Sequence, residues 1–389
     1  MDLPDIQHLS PGDQQLVIQS QQKVLLEQDI KGFIAIEPFA DVLDKVGMHQ
    51  EARDYFQKII SSTTDILTQA RCWRKIAFSC NNQKDFTNAG VAAQNALTLM
   101  RASLLKKKPE KDEYIRILHE ASYSFYFQLK FEKLEATAKE VKRLLPDVTD
   151  IELRVNLFNI IGYSLITKYR WYMLPEEAFT HNELFLQLTS QLEDKFPYAV
   201  ALCFAGHFYL WNEEISLSRK HFARAIQLLE GKHAGQLLIA YNYTTIGYRF
   251  QNNISMTEQW AHLTLEKAKQ SSNLSYVPTS YANLAWVYAN RKNWLYAEEY
   301  ARKAKQAWSV TAFSYQYIFP LMHCLLQKKE LNEAGQLAFK LLHPRLKKLP
   351  DTLTEKLRTV AKAWVGDNKI DLSNSLEDVI DEAKLTGYF

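Results

Sequence analysis

One spacing recurs along this chain and restricts its fold more than any other feature. In "WLYAEEYARKA", beginning at Trp294, small residues stand at Ala297, Ala301 and Ala304. Steps of four and three place them on one helical face. Such a face cannot fill a core alone, but it lets a second helix come close. The residues in the place of Ala297 are Ala52, Ala89, Leu134, Ala178, Ser218, Thr257, Ala297 and Ala334, separated by 37, 45, 44, 40, 39, 40 and 37 residues. Four residues after each come Phe56, Ala93, Ala138, Asn182, Phe222, Ala261, Ala301 and Ala338, with Asn182 departing from the pattern. A unit of this length that repeats cannot cover its own apolar face, so its copies must stack into a continuous core.

A second pattern precedes each marker. Tyr281, Leu284, Ala285 and Tyr288 correspond to Tyr241, Thr244, Thr245 and Tyr248, to Leu202, Ala205, Gly206 and Tyr209, and to Trp73, Ile76, Ala77 and Cys80. Each unit is therefore two antiparallel helices. The first carries a large–apolar–small–large stripe and the second the small-residue stripe. No convincing period-two stretch occurs, and only 12 glycines and 11 prolines interrupt the 389 residues. The chain is all-α.

Prolines agree with this division. Pro146 and Pro344 close second helices, and Pro197 and Pro278 open first helices, where a missing N–H costs little. Pro38 and Pro320 fall inside first helices, where a kink or a late start is expected. "LKKKPEKDE", Leu105 to Glu113, is expected to be a solvated loop. Three regions follow: a leading closing helix in 1–32, the repeat array in 33–345, and closing helices in 346–389. The last helix is expected to open at the Ser373-Asn374 cap.

These residues resemble the tetratricopeptide repeat (TPR). Tyr281, Leu284, Ala285, Tyr288, Ala297, Ala301 and Ala304 carry the likeness best. The copies at Trp73 and Leu202 follow, and Pro146 matches the closing proline. The units run longer than the usual ~34 residues. Long units in an eightfold array are similar to superhelical sensor domains of signalling ATPases and to peptide-pheromone receptors. The resemblance implies a right-handed α-solenoid of about eight TPR-like hairpins with capping helices.

Other chemistry is poorly represented. Gly231 and Gly235, in "GKHAG", lack a phosphate-loop pattern and mark an inter-helix turn. His119, in "HEASY", has no second histidine one turn on, and the ten histidines show no metal-ligand spacing. Neighbouring acids such as Glu298 and Glu299 diverge on a helix, so no acid–base pair is implied. No enzymatic activity, cofactor or metal is expected. The apolar run Tyr198–Trp211 is too short to span a bilayer, and the N-terminus lacks a secretory pattern. Cys72, Cys80, Cys203 and Cys324 are sparse and unclustered, which fits buried thiols in a cytoplasmic protein. A net charge of +3 is too weak to imply nucleic acid.

The resemblance implies a ligand-binding surface formed by the first helices, beside their core stripe. Carried across by register, that surface holds Arg74 and Asn82, His119 and Tyr123, Asn159 and Tyr163, His207 and Trp211, Asn242 and Arg249, Trp286 and Asn290, and His323. The asparagines suit an extended peptide backbone, Trp211 and Trp286 suit apolar anchors, and Arg74 and Arg249 suit a carboxylate. The expected function is a non-enzymatic scaffold or sensor for a peptide or protein segment. The alternative is the ligand-sensing region of a larger signalling ATPase or transcription regulator. The basic stretch "HPRLKKLPD", His343 to Asp351, is expected to be a solvated cap.

Overall fold

The structure, a computed structural model, describes residues 33–102, 107–231, 233–271, 273–308, 312–366 and 369–389. The helix expected in 1–32 lies outside them. Among the described residues the regular elements are eighteen α-helices and two short 3₁₀ turns. The first eight pairs are α1 (Phe33–Lys45) with α2 (His49–Ser62), α3 (Ile66–Asn82) with α4 (Phe86–Ala102), α5 (Lys108–Phe127) with α6 (Phe131–Leu144), α7 (Ile151–Lys168) with α8 (Glu176–Ser190), α9 (Phe196–Trp211) with α10 (Ile215–Leu229), α11 (Ala234–Phe250) with α12 (Ile254–Gln270), α13 (Val277–Asn290) with α14 (Trp294–Ala307), and α15 (Tyr315–Gln327) with α16 (Leu331–Leu341). Then come α17 (Asp351–Val365) and α18 (Lys369–Leu385). Two compact units divide the chain, the first ending at Ser164 and the second running from Leu165 to Phe389.

The small-residue positions lie at the helix contacts. Ala52, Ala89, Leu134, Ala178, Ser218, Thr257, Ala297 and Ala334 are all fully buried. Where the fifth pair has Phe222 instead of a second small residue, its first helix has Gly206, and a Cβ there would stand 2.7 Å from the Phe222 ring. Bulk on one helix is matched by its loss on the other.

The turns repeat as closely as the helices. Five residues before each marker stands a residue with positive φ: Gly47, Lys84, Leu129, Met173, Glu213, Asn252, Lys292 and Lys329. In seven of these turns the next N–H bonds the carbonyl five residues back, as in Asn293 N to Tyr288 O at 2.9 Å and Lys130 N to Phe125 O at 2.9 Å. This left-handed C-cap satisfies carbonyls that the helix end leaves open and reverses the chain within three residues. The exception lies between α7 and α8. There the cap falls at Arg170, with Trp171 N on Ile166 O at 3.0 Å, and the turn continues to Pro175. The longer turn carries Trp171 into the core.

Three local expectations are corrected. Lys108–Glu113 forms the first turns of α5, because Pro109 sits where no N–H is needed and Glu110 accepts from the Lys107 N–H. Ser373 and Asn374 lie inside α18, which already begins at Lys369. "HPRLKKLPD" is not a solvated cap: Leu346, Lys347 and Leu349 are buried. Pro197 and Pro278 occupy first turns as expected, while Pro38 and Pro320 lie within α1 and α15.

Candidate functional site on the first helices

In the first unit, α1, α3 and α5 exchange charges in sequence. Arg71 donates two bonds of 2.7 Å to the Glu37 carboxylate, and Lys75 binds Glu37 at 2.8 Å and Asp41 at 2.5 Å. Burial raises the Glu37 carboxyl, but the bonds from Arg71 and Lys75 outweigh it and hold the group at about 2. One helix further, Arg74 reaches Glu113 at 2.5 Å. Buried Asn81 donates to Glu120 Oε2 at 2.9 Å and to its carbonyl at 3.2 Å, while His119 approaches Oε1 at 3.3 Å. Burial opposes the Glu120 charge, and the His119 and Asn81 contacts overcome it and lower its pKa.

Beyond Glu120 the same face becomes aromatic. Tyr126 and Tyr163 meet at 4.9 Å between ring centroids, and Tyr123 lies 6.0 Å from Tyr163. Phe127 stacks on Phe86 at 4.4 Å. The three tyrosines are partly exposed, and Phe127 and Phe78 are exposed. One turn before Tyr163, the Asn159 side chain is buried with its Oδ1 unpartnered.

In the second unit a buried polar ladder crosses α11, α13 and α15. Thr279 donates to Asn242 Oδ1 at 2.8 Å and lies 3.2 Å from Gln316 Oε1. Pro320 has no N–H for the carbonyl of Gln316, four residues before it. Arg249 uses that carbonyl instead, donating from Nη1 at 3.1 Å. Its Nη2 donates to the Tyr388 carbonyl at 3.0 Å, and its charge lies over the Trp286 ring at 5.7 Å. Burial lowers the Arg249 pKa to about 10.

No family model matches the chain, and no curated protein sequence does. Among solved structures, a Rap protein complexed with Competence and Sporulation Factor is similar at 16% identity and a TM-score of 0.62, over 89% of this chain and 94% of that one. The apo form of RapI is similar at 13% identity and a TM-score of 0.51, over 82% and 88%. A signal-transduction ATPase with a tetratricopeptide-repeat sensor, from Pyrococcus horikoshii, shows 14% identity and a TM-score of 0.49, and 86% of this chain spans 54% of its length. The chain has the tetratricopeptide-type solenoid fold.

The solenoid places the sequence-derived residues unevenly. In the first unit Arg74, His119, Tyr123, Asn159 and Tyr163 lie on neighbouring first helices, and Asn82 is exposed. Arg74 holds Glu113 rather than an open position. Asn81, not Asn82, bridges to the next helix, and sequence reading missed it together with Glu120. Their separation of 39 residues, one repeat, is the signal that finds such pairs.

In the second unit the expectation of open tryptophan anchors is corrected. Trp211 and Trp286 are 2% and 0% exposed. Asn290 donates to its own helix at Trp286 O, 2.9 Å away, and Asn242 is tied to Thr279. His207 packs against Tyr243 at 4.0 Å, and burial lowers its pKa to about 3. His323 lies between Trp294 and Phe389, and burial, with help from Lys384, lowers it to about 4. The chain itself packs on part of this face: Tyr388 and Phe389, 2% and 4% exposed, meet Arg249 and His323. Lys347, also missed, is buried with Nζ on Tyr388 OH at 2.6 Å and within 5.2 Å of the Trp211 and Tyr172 ring centres.

The four cysteines are buried free thiols, and burial pushes Cys72, Cys203 and Cys324 up to about 12. Among the described residues, no three His, Cys, Asp or Glu side chains gather to hold a metal ion, and no helix is long and apolar enough to cross a membrane.

Proposed function

We propose that this solenoid is a non-enzymatic scaffold or sensor that binds a peptide or protein segment on the first-helix face of its first unit. The observation that carries the reading is the partly exposed cluster of Tyr123, Tyr126 and Tyr163, one helical turn from the unpartnered Asn159 side-chain oxygen. Rigid aromatic rings bury a ligand's apolar side chains at low entropic cost. A buried amide oxygen without a partner, one turn from Tyr163, is an acceptor that a peptide N–H would satisfy. A Rap protein of similar fold is described in complex with Competence and Sporulation Factor, which supports a search for ligands of that kind. Buried free thiols support work in a reducing, cytoplasmic setting.

The test selects peptides from a displayed library on the intact protein. Selected peptides are then titrated against wild type and against Tyr123→Ala with Tyr163→Ala. Loss of two aromatic contacts is expected to weaken binding by about tenfold or more, ~1.4 kcal/mol. Equal affinity for both forms removes this face as the site.

A further inference from the structure

Tyr388 and Phe389 are held in the second unit as a ligand would be. Gly387, at φ +73°, ends α18, and Tyr388 N bonds Ala383 O at 2.8 Å. A Cβ on Gly387 would stand 2.9 Å from the Phe250 ring, so the backbone approaches closely there. The Tyr388 carbonyl accepts from Arg249, its hydroxyl meets Lys347, and its ring packs against Phe250 at 5.6 Å and Tyr315 at 5.4 Å. Phe389 lies 5.1 Å from the His323 ring.

The wall beneath offers more than these two residues use. Arg249 Nε, Trp286 Nε1, Tyr315 OH and His323 Nδ1 are buried and unpartnered. Among the described residues no side-chain carboxylate pairs with Arg249 or Lys347, and Glu213 acts on Lys347 only from a greater distance, although both side chains are about 97% buried or more. Neutral carbonyls and a phenol compensate a buried cation poorly, whereas a carboxylate does so directly.

We propose that the pocket formed by Arg249, Lys347, Trp286, Tyr315 and His323 is a binding site for a peptide segment carrying an aromatic side chain next to a carboxylate, and that Tyr388 and Phe389 occupy it in cis until such a segment displaces them. The aromatic part takes the place of the two rings, and the carboxylate supplies an anion within bonding distance of the two cations, which Glu213 does not. This site lies wholly in the second unit and stands independently of the tyrosine cluster, so failure of the tyrosine variant leaves it standing.

The probe is a fluorescent hexapeptide copying Lys384–Phe389, made once with a free terminal carboxylate and once amidated. It is titrated against the full chain and against the full chain with Tyr388→Ala and Phe389→Ala. The variant is expected to bind the free-acid peptide about tenfold or more tightly than wild type does, and to prefer it over the amide. Adding Lys347→Met, of similar volume, is expected to abolish the preference. Phe389→Ala alone keeps the Tyr388 bonds to Arg249 and Lys347, carries the test if the double variant does not fold, and is expected to give a smaller gain in the same direction. A cooperatively folded variant that shows no saturable binding of either peptide, or wild-type affinity for both, overturns the proposal.

Discussion

Gly206 and Ala301 show how single side chains set the distance between helices. Gly206→Ala improves intrinsic helix propensity by up to about 1 kcal/mol, yet its new methyl meets the Phe222 ring at 2.7 Å. The ring is fully buried, so it yields only by displacing its packed neighbours. The substitution is expected to destabilise, seen as a lower urea midpoint. Ala301→Leu, at a fully buried contact, is expected to cost about 1–3 kcal/mol in the same assay through overpacking. Two histidines add a pH dependence. Burial depresses His207 to about 3 and His323 to about 4 in the folded chain, against ~6.5 unfolded. The unfolded chain therefore binds the protons first. Their contribution is complete above pH ~6.5 and is lost as pH falls towards about 4 for His323 and about 3 for His207, at ~1.4 kcal/mol per pH unit for each ring. Urea unfolding at pH 7.5 and pH 5 is expected to show this loss, and His323→Leu to reduce the difference between the two.

At the scale of elements, the recurring left-handed turn is as much a repeat as the alanine stripe. It is less visible in sequence because glycine fills only one of its eight places, Gly47. The other seven carry a non-glycine residue in a conformation that costs about 1 kcal/mol or more. Lys292 is exposed at φ +58°, so its backbone is tested without loss of packing. Lys292→Gly is expected to leave stability unchanged or raise it by up to about 1 kcal/mol, and Lys292→Val to lower it, both measured as urea midpoints. The helices themselves were legible, because their apolar and small positions recur at a helical period within one short window. The start of α5 was not, because "LKKKPEKDE" has the charge of a loop. Its proline and following acid, which open a helix, are outweighed in composition by its lysines.

At the scale of each whole unit, nearest-neighbour stacking accounts for the first but not for the second. In the second unit Arg170 Nε donates to Leu346 O at 2.9 Å, Lys348 N donates to Arg170 O at 3.0 Å, and Arg249 reaches Tyr388. These contacts tie residues that lie three or more helices apart. Pure repeat arrays open locally from their ends. The second unit is instead expected to exchange its core amides in one cooperative step, and Tyr388→Ala to speed exchange in α9 and α11 together. Native-state hydrogen exchange checks this; protection lost in α18 alone would show that the last residues do not bind the unit together.

The eight hairpins, their order and their contact faces follow from local sequence, because each small residue acts on a helix that is close in the chain and the same solution is written eight times. The open and covered parts of the first-helix face do not. Tyr123 and Trp286 occupy comparable positions beside a core stripe, yet one is partly exposed and the other is buried. In the second unit the face also receives a distant contact, where the Tyr388 carbonyl accepts from Arg249, 139 residues away. No helical period encodes that distance. Only the folded chain, by carrying Tyr388 and Phe389 onto Arg249, Lys347 and His323, determines which part of the face is covered.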